Sequence, residues 1–293
     1  MEVVDITIGD DGEAIIANDK IALIDADTIV YTACLNAEKI IELLPREFYT
    51  DAEWAELMKL GEPDELGRVY DSNLDEILAL VDMKLNKIKE NTGCKQVELH
   101  FTDGRANFRY DIYPEYKGNR KATHSPKFLA TAKVAIATKY NGKLHTKIEA
   151  DDAVVYLMRK YPEKYILCAV DKDVLNAVEG RHFNYYESGQ YNISMKWQET
   201  SAITAKLFPY RQALMGDKSD NIIGLDRIGP KKASVIIDDT CQDPMAQLIA
   251  AFEHNGRTKE EALLNFQLCF MGDEKYCKEL DNDNRQATNE NST

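Results

Sequence analysis

Three apolar runs in this chain each end on an aspartate, and that arrangement restricts the fold more than any other feature. Ile21 to Ile24 leads into Asp25, Val97 to Thr102 into Asp103, and Tyr165 to Val170 into Asp171. Short apolar runs rich in β-branched and aromatic residues predict buried strands, and helical patterns between them predict a parallel sheet. In an open α/β sheet the crevice lies outside the carboxyl ends of the strands, so acids placed there face a common space. Six further acids are candidates for the same space: Glu149, Asp151 and Asp152 in one run, Asp173 two residues after Asp171, and Asp217 with Asp220. Crowded carboxylates repel one another and are costly to desolvate, whereas Mg²⁺ or Mn²⁺ prefers oxygen ligands. The expectation is a site for two or more divalent ions. Each acid also has an ordinary explanation, since an aspartate after a strand often makes a turn or caps the next helix. All of those explanations must hold together to remove the site.

Charge is unevenly distributed. The 293 residues carry a formal net charge of −14, which argues against a polyanionic partner. Yet between Gly104 and Ile148 ten Lys or Arg residues (Arg105, Arg109, Lys117, Arg120, Lys121, Lys127, Lys133, Lys139, Lys143 and Lys147) face only two acids, Asp111 and Glu115. A basic segment within an acidic chain predicts phosphate binding, although a solvated helix face would also be lysine-rich. Further along, Gly224 and Gly229 bracket a turn before Pro230, Lys231 and Lys232, which open a predicted helix. Glycine permits close approach of backbone N–H groups to an anion, and a helix N-terminus adds partial positive charge. Such a hairpin suits the backbone of duplex DNA without reading its bases.

Leu74, Ile77, Leu78, Val81, Leu85 and Ile88 fall at helical spacing and predict a helix covering the sheet. The run Lys127 to Tyr140 is helix-compatible, Glu149 to Val178 alternates helix, strand and helix, Phe183 to Met195 suggests a strand or hairpin, and the C-terminal third is mainly helical. Residues 1–20 read as a turn-rich extension, and 281–293 are polar enough to predict disorder. The six cysteines and five histidines show no zinc spacing. With no signal sequence and no apolar run long enough for a bilayer, a soluble cytoplasmic protein is expected, with reduced thiols and no membrane partner.

The order of motifs resembles the flap endonuclease and 5′-nuclease superfamily, nearest to its phage and bacterial 5′-to-3′ exonuclease type. The matching stretches are Leu23-Ile24-Asp25, Phe101-Thr102-Asp103, Pro114 through Tyr116, Lys117 and Arg120, Glu149-Ala150-Asp151-Asp152, Asp171-Lys172-Asp173, and Met215-Gly216-Asp217 through Asp220-Asn221. The resemblance covers roughly residues 20 to 280. It implies an α/β fold with a mostly parallel central sheet flanked by helices. A nuclease core would span 21–200 with a helical arch at about 104–148, and 201–280 would form a helical region with a helix-three-turn-helix DNA-binding element. The implied activity is divalent-metal-dependent cleavage of DNA phosphodiesters at 5′ ends or flaps. Asp25, Asp103, Glu149 and Asp151 would bind a first metal, and Asp171, Asp173, Asp217 and Asp220 a second. Asp152 would bind metal or orient a water.

Lys117 and Arg120 would then stabilise charge on the phosphate. Tyr116, Gly224, Gly229, Lys231 and Lys232 would contact DNA, with a monovalent cation such as K⁺ at the glycine hairpin. Other readings are a nuclease of RNA or RNA–DNA hybrids and a non-catalytic DNA-binding scaffold. Thr32 stands where many relatives carry an arginine in the first helix, and the stretch from about Asn36 to Asn91 looks longer than in compact relatives.

Overall fold

The computed structural model describes residues 6–8, 14–104, 107–120 and 125–281. The central sheet has six strands: β1 (Asn18–Asp25), β2 (Cys94–Thr102), β3 (Lys143–His145), β4 (Tyr165–Ala169), β5 (Gly180–Asn184) and β6 (Lys196–Thr200). They lie in the order β6-β5-β4-β1-β2-β3, every pairing parallel except that of β6 with β5. The chain builds outward from β1 in one direction to β3, then returns to build β4 to β6 on the other side. The reversal falls between β1 and β4, so Asp25 and Asp171 flank the place where such sheets open a crevice. The three strands expected from the apolar runs are consecutive neighbours in the sheet's interior, β4-β1-β2.

Alternation in β1 sends neighbouring side chains to opposite faces. Ala22 and Ile24 join the core beneath helices α1 (Asp27–Ala37), α2 (Leu74–Thr92) and α3 (Leu129–Tyr140), whereas Leu23 joins the core beneath α4 (Ala150–Lys160). α2 follows its predicted period, with Ile77, Val81, Leu85 and Ile88 buried. Asn73 accepts from the N–H groups of Asp75 and Glu76 at its start, and Gly93 at φ 72° ends it.

Part of the span expected for the arch packs with the sheet instead. α3 buries Ala132, Ile136 and Ala137 in the core, and β3 pairs with β2 as the sheet edge, so α3 and β3 belong to the central α/β layer. Small apolar residues in α3 allow the helix to seat closely against the sheet, which the basic composition of the segment obscured. The N-terminal boundary also differs. Strands Ile6–Ile8 and Ala14–Ile16 pair, and β1 itself starts at Asn18, within the expected extension. The tail expected to be disordered lies outside the described residues beyond Asp281.

The C-terminal region packs α5 (Ala202–Met215), α6 (Pro230–Ile236), α7 (Pro244–His254) and α8 (Lys259–Cys269) around Leu207, Leu214, Leu248 and Phe252. Between α5 and α6 the chain forms a two-residue antiparallel bridge, Gly216–Asp217 with Ile222–Ile223. Among the described residues no helix is long and apolar enough to cross a membrane, and all six cysteines are free thiols.

Candidate metal and phosphate site

Asp25 ends β1 almost fully buried, and its carboxylate accepts from the Asp27 N–H at 3.2 Å. It is paired with Asp151 in the first turn of α4. Burial, then the charge of Asp27, pushes the Asp25 carboxyl up to about 7. Burial and the facing Asp25 and Glu149 hold Asp151 well above the ordinary carboxylate range. Two buried acids in contact cannot both ionise cheaply, so without a cation they retain a proton.

Asp173 is raised to about 6 by burial and by Asp171, Asp217 and Asp220. A narrow cavity of about 40 Å³ is lined by Glu149, Asp151, Asp173, Asp217 and Asp220. Three separate chain segments therefore bring acids to one point. Asp171 borders them, exposed, while its side chain accepts from the Asp173 N–H at 2.8 Å as the cap of a short helix.

Cations border the acids on one side. Lys117 sits at φ 55°, its N–H donating to the Asp220 carbonyl at 2.9 Å and its ammonium to the Glu149 carboxylate. Burial alone would lower its pKa, but Glu149 and Asp220 together hold it above the ordinary lysine value. Arg120, about half exposed, donates to the Asp220 carboxylate at 2.7 Å. The crevice widens beside them into a cavity of about 430 Å³ reached by Tyr31, Lys117, Arg120 and Lys133. Its chemistry is that of an anion meeting a cluster of acids: cations to hold the anion, and carboxylates that need cations of their own.

Four expected roles change. Asp152 is not available as a ligand. It is fully buried, and its two oxygens accept from the Arg109 guanidinium at 2.6 and 2.8 Å, with further donation from the Gly272 N–H at 3.1 Å. Arg109 continues to the carbonyls of Leu268 and Phe270, tying α4 to the end of α8.

Asp103 is exposed and apart from the paired acids, because β2 ends where the Asp103 N–H bonds the His145 carbonyl at 2.8 Å. The nearby inward acid is Asp27, which pairs with Lys133 at 2.6 Å and accepts from the Thr102 N–H. Tyr116 is buried and its hydroxyl lies between Glu149 at 2.9 Å and Asp220 at 2.8 Å, so it braces the acids and cannot stack on DNA. Gly224 serves chain packing: a Cβ there would lie 2.1 Å from the Met215 carbonyl carbon. Gly229 caps α6 with open space around it, and Lys231 and Lys232 are exposed.

Sequence reasoning missed Arg109, Asn107 and Asp27 as site residues. Arg109 counted only toward a basic footprint, and most of that footprint is paired with carboxylates of the same chain. Besides Arg109, Lys117, Arg120 and Lys133, the ammonium groups of Lys139, Lys143 and Lys147 meet Asp82, Glu98 and Glu279. Arg105 and Lys121 lie outside the described residues. Asn107 donates to Glu149 at 3.2 Å.

Among the described residues no three acidic, histidine or cysteine side chains stand close enough to enclose an ion as placed. The donor set nonetheless fits a hard divalent cation. All donors are carboxylate oxygens, and burial together with neighbouring acids raises Asp25, Asp151 and Asp173, a cost that a bound cation would relieve.

A doubly wound sheet with an acid cluster at its switch point and cations at its rim defines a class of α/β proteins built for divalent ions and anionic substrates. The family described as 5′-3′ exonuclease, N-terminal resolvase-like domain, matches residues 62–206. A 5′-3′ exonuclease of Buchnera aphidicola subsp. Acyrthosiphon pisum is 31% identical over 173 residues, covering 55% of this chain and 58% of the relative. A flap endonuclease of Escherichia phage T5 is 26% identical over 152 residues, covering 46% and 52%. This chain thus spans about half the length of the curated relatives it matches. In structure it resembles the phage T5 D15 protein co-crystallised with metal ions, at TM-score 0.54 and 20% identity, covering 68% of this chain and 84% of that one. It also resembles a zinc-bound T5 5′-exonuclease at TM-score 0.53 and 20% identity, covering 67% and 81%. At that identity the likeness establishes the fold. Together the family match, the two relatives and the shared fold support the flap endonuclease and 5′-nuclease superfamily.

Proposed function

We propose that this protein is a divalent-metal-dependent 5′ nuclease that hydrolyses DNA phosphodiesters at 5′ ends or flaps, working in the cytoplasm, or in a host's if phage-encoded. The observation that carries the reading is the meeting of Asp25 and Asp151 with Glu149, Asp173, Asp217 and Asp220 beside Lys117 and Arg120. Asp25, Glu149 and Asp151 would hold one Mg²⁺ or Mn²⁺, and Asp173, Asp217 and Asp220, with Asp171 at the border, a second. Bound there, two ions would polarise the scissile phosphate and lower the pKa of an attacking water.

The chain's own residues supply the rest. Lys117 and Arg120 can exchange their carboxylate partners for the non-bridging phosphate oxygens, where charge grows in the transition state. Tyr116 keeps Glu149 and Asp220 at fixed separation, and the Arg109–Asp152 pair fixes the start of α4. Lys231 and Lys232, at the exposed start of α6, would hold duplex backbone as the second part of a helix-three-turn-helix element, with a K⁺ ion at the preceding turn. The named relatives include 5′-3′ exonucleases and flap endonucleases, and one T5 flap endonuclease structure is a complex with DNA and metal ions.

The test is cleavage of 5′-labelled DNA, RNA and hybrid substrates in flap, blunt, nicked and circular forms with Mg²⁺ or EDTA. Metal-dependent release of short products from DNA flaps or 5′ ends is expected. Preferential cleavage of RNA strands would favour primer removal, and binding without cleavage of any substrate would favour a scaffold.

A further inference from the structure

Thr28, in the first turn of α1, lines two cavities. One is the crevice beside Lys117 and Arg120. The other, of about 380 Å³, lies between α1, α2 and the segment after β5, and it reaches Val170, the residue before Asp171. It therefore opens at the same carboxyl edge of the sheet, on the face of α1 adjoining the one that borders the crevice. The reaction as described makes no use of it.

Its chemistry differs from the rest of this acidic chain. Lys84 and Lys87 project from one turn of α2 and share a single carboxylate, Glu187, at 2.6 and 3.1 Å. Two ammonium groups against one carboxylate leave a local excess of positive charge. All three side chains remain partly in solvent, with 23, 43 and 32% exposure for Lys84, Lys87 and Glu187, so an incoming anion can displace Glu187 at little cost. Beside them Tyr186 presents a ring that is 41% exposed, while its backbone is fixed by donation of its N–H to the Asn184 side chain at 2.9 Å. On the opposing wall the Thr32 hydroxyl turns back to the carbonyls of Thr28 and Ile29, which leaves that face short and uncharged. Paired cations beside an exposed, anchored aromatic ring match a phosphate attached to a base.

We infer that this cavity is a nucleotide subsite for a single strand, taking a nucleotide next to the one whose phosphodiester lies in the acidic crevice. Lys84 and Lys87 neutralise the phosphate, and Tyr186 stacks on the base. The single residue shared by the two cavities, Thr28, sets the separation that adjoining nucleotides must bridge. The inference rests on the nuclease reading and extends it to the path of the strand.

Fluorescence anisotropy with a 5′-phosphorylated single-stranded oligonucleotide, in EDTA so that nothing is cut, tests it without turnover. Lys84→Ala combined with Lys87→Ala should weaken binding about tenfold at low salt and reduce the salt slope by about 0.7, the value for one phosphate on a single strand. Tyr186→Leu should weaken binding about fivefold and leave the slope unchanged. Glu187→Gln should tighten binding about threefold, because it frees the lysines.

That opposite sign is decisive. If the ion pairs serve only to brace α2, removing either partner breaks the same contacts, and both variants weaken binding together. Equal weakening, or no change in any variant, would overturn the inference. So would displacement of the oligonucleotide by a polyglutamate peptide at matched charge concentration, which would mark a site for acidic protein. Failure of the unmodified protein to cut DNA in Mg²⁺ would instead refute the nuclease reading, and it is seen in a separate assay.

Discussion

Replacing Asp151 or Asp152 by asparagine should move the metal-free protein's stability in opposite directions, although the two residues are adjacent in α4. Asp152 is the counter-ion of Arg109, whose side chain is 3% exposed. Burial opposes the Asp152 charge, but the guanidinium more than offsets it and holds the carboxyl below the usual range. Breaking a buried ion pair from one side costs about 3–5 kcal/mol, or a fall of roughly 6–10 °C in Tm for a chain of this size. Its stabilisation is present above the ordinary carboxylate pKa and is lost as pH falls.

For the Asp25–Asp151 pair the sign reverses. Asp25 moves from 3.8 to about 7, so the folded protein holds a proton that the unfolded chain releases. Stability then declines as pH rises from about 4 to 7, by roughly 4 kcal/mol through Asp25, and the raised Asp151 carboxyl acts in the same direction. Asp151→Asn removes one of the two charges. It should raise Tm at pH 8 and change it little at pH 5, and saturating Mg²⁺ should raise the Tm of the unmodified protein and of Asp152→Asn but not of Asp151→Asn. Thermal unfolding in EDTA at both pH values, repeated with Mg²⁺, measures all of this. If Asp152→Asn melts with the unmodified protein, the Arg109 pair does not brace α4, and if it loses its response to Mg²⁺, Asp152 is a ligand.

Other outcomes follow from the site. Lys117→Ala should lower the single-turnover rate by about 10²–10³ with a smaller effect on affinity, since its charge matters most as charge develops on the phosphate; a larger effect on binding would make it a docking residue. Lys231→Ala with Lys232→Ala should weaken duplex binding equally across base sequences and lower the salt slope by about one to two, as titrations at several salt concentrations would show. Gly224→Ala places a methyl against the Met215 carbonyl and should cost more than about 3 kcal/mol in denaturant unfolding; a cost under 1 kcal/mol would mean the bridge to Gly216 yields easily.

What the sequence disclosed, and what it concealed, divides along physical lines. β1, β2, β4 and α2 were legible because their periodicity is local, and Asp25 and Asp151 were legible because a strand end and a helix start each point one way. Asp103 misled because the course of the chain after β2 is decided by pairing with His145, on another strand. Arg109 and Asp152 are 43 residues apart and meet only through the packing of α8 and α4. Tyr116 sits in a motif rich in aromatics and bases, which suggested a surface, yet its ring is interior. The basic segment gave the right sign and the wrong address, since most of its charge is spent on carboxylates of the same chain.

On the proposed function, the acid cluster performs phosphodiester hydrolysis with divalent ions. Single-turnover cleavage of a 5′-flap DNA in Mg²⁺ by the unmodified protein and by Asp151→Asn, with anisotropy on the same substrate, tests it most directly. Cleavage should be lost in the variant and in EDTA while DNA affinity is unchanged or tighter, because less negative charge faces the phosphates. Cleavage by folded Asp151→Asn at the unmodified rate, with contaminating nuclease excluded, would contradict it.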